Sequence, residues 1–184
     1  MAAFIVLLLA ALTRLVPHAM HGVGMNFTAV GGGLLFFGAR RPRWQAAIAV
    51  AVMAATDIYL TTVVYGLQFK PTSYLVTWAW YVAVCLAGSL LLRKVTVLRV
   101  AAGVLASSTG FFLLSNFAVW AGAQAMYSHD VRGLGLCYVA GLPFYMNDMV
   151  ATTLTAGALF GLPVLAARLI EAIRSAQSRN EPLA

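Results

Sequence analysis

Long apolar stretches, broken by basic clusters at every second interval, constrain this chain more than any other feature it carries. Nine of its twelve basic residues fall into three groups: Arg40, Arg41 and Arg43; Arg93, Lys94 and Arg99; and Arg168, Arg174 and Arg179. The alternate breaks hold only Arg14, Lys70 and Arg132, together with all three histidines. Basic residues concentrate in the cytoplasmic loops of membrane proteins, so the asymmetry predicts a polytopic membrane protein with both termini in the cytoplasm. Composition agrees. Charged residues make up 9% of the chain and hydrophobic ones 62%, whereas soluble domains carry about a quarter charged residues. The net charge of +7 sits at the ends of apolar segments, where it meets lipid headgroups, and no nucleic-acid partner is expected.

A spanning helix needs about 20 mostly apolar residues. Six stretches read that way: residues 2–16 (short, and ended by Pro17), 22–39, 44–65, 73–92, 98–121 and 145–170. No Lys or Arg precedes the first stretch and no small-x-small cleavage site follows it, so it reads as a retained helix rather than a signal peptide. Residues 131–144 are apolar, too short to span, and interrupted by Gly141 and Pro143. They read as a re-entrant or interfacial segment. The expected fold class is therefore all-α: six transmembrane helices in one domain, residues 1–170, followed by a frayed polar cytoplasmic tail, residues 171–184. The glycine triplet Gly31, Gly32 and Gly33 suggests close helix contact or irregular backbone lining a cavity. Gly157 and Gly161 in the sixth stretch, and Gly103, Ser107 and Gly110 in the fifth, permit close approach, within the bundle or to a partner.

The remaining polar side chains fall at the ends opposite the basic clusters. Arg14, His18, His21 and Asn26 flank the first outer loop. Asp57 lies within the third stretch, with Tyr59, Thr61, Thr62 and Tyr65 beyond it. Lys70, Tyr74, Trp78 and Trp80 follow; Asn116 and Trp120 end the fifth stretch, and Asn147 and Asp148 open the sixth. A carboxylate inside a span costs about 2.5–3.5 kcal/mol on insertion scales and needs a partner. For Asp57 the candidates are Arg14 and Lys70, in a structural pair or a ligand site. The aromatic residues read either as a boundary belt or as ring walls of a site. His18 and His21 form an HxxH pair, and with Cys137 they are weak metal candidates. Cys85 and Cys137 are the only cysteines, and no metal-type CxxC spacing is present.

The segments Arg14-x-x-Pro17-His18, Asn26-Phe27-Thr28, Asp57, Tyr65-Gly66, Ser115-Asn116-Phe117-x-x-Trp120 and Gly135-Leu136-Cys137-Tyr138-Val139-Ala140-Gly141-Leu142-Pro143-Phe144 resemble those of a family of bacterial six-helix membrane proteins of unknown function. That resemblance implies the bacterial inner membrane. More distantly, the size, six-helix layout and outer polar cluster resemble the substrate-binding S-components of energy-coupling-factor vitamin importers, and among them the solitary cobalamin transporters. The likeness implies a vitamin or cofactor precursor as ligand, a separate energising ATPase, and His18, Asp57 and Tyr74 as counterparts of functional residues. The cobalt-binding cysteine of that group has no counterpart, Lys70 occupying its region, and the first stretch lacks an Ala-x-x-x-Ala docking motif.

The leading expectation is a substrate-binding membrane protein for uptake of a small molecule entering from the outer side, with no resident cofactor. Its ligand-binding residues would be Arg14, His18, Asn26, Asp57, Tyr65, Lys70, Tyr74, Asn116, Trp120 and Asn147. A few convergent polar groups in an apolar pocket are what ligand sites look like. Two alternatives stay open: a scaffold or assembly subunit without a ligand, and a metal-dependent membrane enzyme. No Walker, HExxH or GxSxG motif is present.

Overall fold

The computed structural model describes residues 1–16, 26–122 and 126–180. Among the described residues seven helices follow one another: α1 (Ala2–Thr13), α2 (Val30–Arg40), α3 (Ala46–Tyr59), α4 (Leu75–Leu91), α5 (Val97–Ala121), α6 (Val131–Ala156) and α7 (Leu162–Asn180). Short 3-10 turns, Arg43–Gln45 and Pro71–Tyr74, lead into α3 and α4. Wide π turns, Leu60–Val64 and Gly157–Gly161, follow α3 and α6. Among the described residues there is no β-strand.

Among the described residues four helical runs are long and apolar enough to cross a membrane: Arg43–Val64, Pro71–Leu91, Val97–Ala121 and Val131–Ser175. Helices α1 and α2 are shorter. Their 12 and 11 residues reach about 18 and 17 Å at 1.5 Å per residue, against about 30 Å of bilayer hydrocarbon. The second expected span began at residue 22; the described helix begins at Val30, and residues 17–25 lie outside the described part.

Residues 131–144 are not a separate re-entrant element. They form the first half of α6, which runs through Gly141 and Pro143 without a break. The start signal is local. Asp130 caps the helix by accepting from the Gly133 N–H at 2.6 Å, and Ser128 donates to the same carboxylate at 2.9 Å. Once started, the segment is held against α5: Tyr138 donates to the Leu113 carbonyl at 2.9 Å and Cys137 Sγ to the Asn116 carbonyl at 3.3 Å. Proline costs one backbone hydrogen bond in a helix interior, and packing on α5 overrides that cost. The tail does not fray at 171 either; helix continues to Asn180. The continuous helical run Val131–Ser175, 45 residues, measures about 68 Å at 1.5 Å per residue, against about 30 Å of bilayer hydrocarbon.

Asp130 is fully exposed, and its two hydrogen-bond donors, Gly133 N–H first and Ser128 second, hold its carboxyl below the ordinary range. A depressed pKa means the cap is present at neutral pH and is lost as pH falls through the folded value. Replacing Asp130 by alanine is expected to speed amide exchange at Gly133 and Leu134 at neutral pH. Unchanged exchange there would remove Asp130 as the start signal.

Helix α2 forms the centre of the bundle, and its glycines explain how. Residues Gly31, Gly32 and Gly33 turn successive faces to different neighbours: Gly31 to Thr152 of α6 and Ser107 of α5, Gly32 to Thr155 and Ala156 of α6, and Gly33 to Ala10 of α1. Farther along, Gly38 lies against the Cys85 backbone of α4, and Gly88 of α4 lies against the Leu35 backbone. Two helices therefore cross at backbone contact, each supplying the glycine that admits the other's carbonyl. Leu34, Leu35 and Phe37 are buried around that crossing with Leu7, Met53 and Val84. Gly157 and Gly161 are different: a Cβ at either would meet nothing within 4 Å. They line an apolar groove of about 890 Å³ between the start of α5 and the α6–α7 run, so the described bundle does not use them for packing.

Candidate ligand cavity

Chain direction decides which ends meet. Helix α1 ends, α2 begins, α3 ends, α4 begins and α5 ends at one pole, while the Arg40–Arg43 and Arg93–Arg99 clusters lie at the other. Arg14 follows the last turn of α1 and reaches Asp57 near the end of α3, forming a salt bridge. The guanidinium also donates to the Met53 carbonyl at 3.2 Å, and the Trp78 indole N–H donates to the second Asp57 oxygen at 2.8 Å. Asp57 is 2% exposed, so a desolvated carboxylate receives one cation and one neutral donor. That arrangement offsets the cost of its burial.

Around this pair the end of α3 widens into its π turn. Thr61 donates back to the Asp57 carbonyl at 2.7 Å and meets the Tyr74 hydroxyl at 2.5 Å. The rings of Phe69, Tyr74 and Trp78 form one cluster, with Tyr74 5.3 Å from Phe69 and 6.0 Å from Trp78 and those two 6.3 Å apart. A chain of contacts thus runs from the loop before α4 to the buried ion pair. On the other side, Trp80 donates to the Ser107 carbonyl at 3.2 Å and Tyr145 pairs with Thr109 at 3.1 Å.

These elements enclose a cavity of about 240 Å³. Arg14, Asn26, Asp57, Tyr74, Trp80, Tyr81 and Asp148 are among the residues that line it. A second lobe of about 120 Å³ lies between α5 and α6, lined by Ser115, Asn116, Gly141 and Tyr145. The lobes share Asn26, Phe111 and Asp148. Asn26 has φ +63°, the left-handed conformation that asparagine tolerates better than most residues. The chain turns there towards α2, and the Ala29 N–H is then held by Thr13 at 3.0 Å.

Of the residues expected at a site, Arg14, Asn26, Asp57 and Tyr74 line the first lobe, and Asn26 and Asn116 the second. Tyr65, Lys70, Trp120 and Asn147 line neither. Lys70 is exposed on the loop before α4, which leaves Arg14 as the partner of Asp57. Trp120 holds the loop after α5 by donating to the Ser128 carbonyl at 2.9 Å. His18 and His21 lie outside the described residues. Cys137 faces Asn116, and among the described residues no three His, Cys, Asp or Glu side chains are grouped to hold a metal ion. Asp148, one residue beyond Asn147, is the charged group that lines both lobes, with Asn26 and Phe111. Trp78 belongs to the buried network instead of a boundary belt. Tyr81 and Ser107 lie inside apolar runs that carry no polar pattern of their own.

No curated protein and no solved structure matches the chain, so neither comparison supports the distant likeness to S-components. A family model does match, over residues 1–173, and that is nearly the whole length. The chain belongs to that family, a family of unknown function (DUF6580).

Proposed function

We propose that this is an integral membrane protein of the bacterial inner membrane that binds a small molecule for uptake, with six crossings and both termini in the cytoplasm. The observation that carries the reading is the two-lobed cavity at the pole opposite the basic clusters, to which Arg14 just beyond α1, the segment before α2, and α2 to α6 all contribute. A structural core of this composition would close around the Arg14–Asp57 pair; here the pair borders open space. The positive-inside rule puts that pole outside, so ligand arrives from the outer side through the loops. The chain has no nucleotide-binding motif, and active import then needs a separate energising ATPase or another energy source.

The two lobes, about 240 and 120 Å³, bring convergent polar groups together within aromatic walls, a lining that favours a compact polar molecule or precursor. The purified protein in detergent should be stabilised by such a ligand, by about 2.7 kcal/mol at 100 times its dissociation constant. Thermal unfolding against a panel of small vitamins, precursors, amino acids and amines is the measurement. Silence across the whole panel would turn the balance to the second reading, an assembly subunit without a ligand. That reading is favoured by the apolar groove beside Gly157 and Gly161.

A further inference from the structure

The cavity contains two carboxylates that differ in their partners. Asp57 is matched by Arg14 and held by Trp78. Asp148 projects from the middle of α6, lines both lobes, and sits beside Ser108. Among the described residues the Arg14–Asp57 contact is the one salt bridge, so no basic side chain there pairs with Asp148. With Arg14 and Asp57 cancelling, an ionised Asp148 leaves the described lining of the cavity one negative charge in excess. Its walls are rich in aromatic rings: Trp80, Tyr81 and Phe111 around the first lobe, Phe112 and Tyr145 around the second.

A carboxylate in a mostly apolar site needs a positive partner or a proton. Aromatic rings attract ammonium and guanidinium groups but not anions, and the attraction grows where water is excluded. We infer that the cavity selects a small organic cation, its ammonium or guanidinium group seated between Asp148 and the surrounding rings. The inference rests on the small-molecule reading given above and names the ligand class for that same cavity. Two lobes meeting at Asp148 suit a cation with a compact charged head and a short polar arm, the arm directed towards Arg14 and Asn26 or towards Asn116.

The test uses the full chain in detergent at constant ionic strength. Three probes of similar size are compared by thermal shift and equilibrium binding: choline, its neutral isostere 3,3-dimethylbutan-1-ol, and the anion pivalate. Choline is expected to stabilise the protein and to bind about tenfold or more tightly than the alcohol. Asp148→Asn should remove that preference, whereas Asp148→Glu, which keeps the charge, should retain most of it. The comparison of choline with its isostere on the unaltered chain decides the matter even if Asp148→Asn does not fold. Equal binding of choline and the alcohol, tighter binding of pivalate, or an unchanged preference in a folded Asp148→Asn variant would each overturn the cation assignment while leaving small-molecule binding standing. No shift with these probes, but a shift with a neutral or acidic panel compound, overturns it in the same way. No shift with any compound removes both.

Discussion

Replacing Arg14 by methionine is expected to destabilise the folded protein by about 3–5 kcal/mol, the range for removing one partner of a buried ion pair. The Asp57 carboxylate is 2% exposed, and the indole N–H of Trp78 would be its remaining side-chain donor. The reverse substitution, Asp57→Asn, should cost less. Arg14 keeps 16% of its side chain exposed towards the cavity, so its charge has water available, and it also keeps the Met53 carbonyl. The double variant Arg14→Met with Asp57→Asn should be more stable than the sum of the single losses, because no orphaned charge remains. Thermal or denaturant unfolding in detergent reads all three. Additive losses, or a cost below about 1 kcal/mol for Arg14→Met, would mean that the pair is not an energetic unit.

The second large effect concerns the crossing of α2 and α4. A methyl group at Gly38 would fall on the Cys85 backbone carbonyl, and one at Gly88 on the Leu35 carbonyl. Backbone at a helix crossing cannot rotate aside as a side chain can, so the helices must separate and the packing around Leu35 and Phe37 must open. Gly38→Ala is expected to lose about 3 kcal/mol, the upper end of the range for overpacked cores. The control lies in the same chain. Gly157→Ala and Gly161→Ala meet open space, and alanine is the better helix former by up to about 1 kcal/mol, so they should be neutral or slightly stabilising. The same melting experiment ranks the three variants. Equal effects at Gly38 and Gly157 would contradict the backbone contact between α2 and α4.

How far the site was legible depends on the kind of residue. Asp57 stood out because a carboxylate within an apolar run is costly alone, and the short list of nearby cations already contained Arg14. Asp148 was harder. It adjoins Asn147, and neighbouring helical residues point about 100° apart, so choosing between them requires knowing which face of α6 meets the bundle. Tyr65, Lys70 and Trp120 lie near the pole that the cavity occupies, yet position along a helix says nothing about direction around it. Trp78 shows the converse: its place at a segment boundary suits a lipid belt, and only the packing turns its N–H to Asp57. Gly141 and Pro143 looked like breaks because proline and glycine weaken isolated helices, whereas contacts with α5 at Asn116 and Leu113 compensate for both.

The sequence by itself determined the class of the protein: long apolar runs with the basic residues confined to their ends read as an all-helical chain, since backbone hydrogen bonds in hydrocarbon must be met within the run. It also determined that the basic clusters stand apart from the polar residues, because alternating helices return every second turn to the same pole. The tertiary structure alone decided that α2 sits at the centre with glycine at its crossings, that residues 131–144 belong to a continuous helix, and that Asp148 shares a cavity with Arg14 and Asp57. Those outcomes depend on rotation about each helix axis and on which backbones touch. Hydrophobicity, nearly uniform around these helices, cannot encode them; close packing of particular small and polar side chains can.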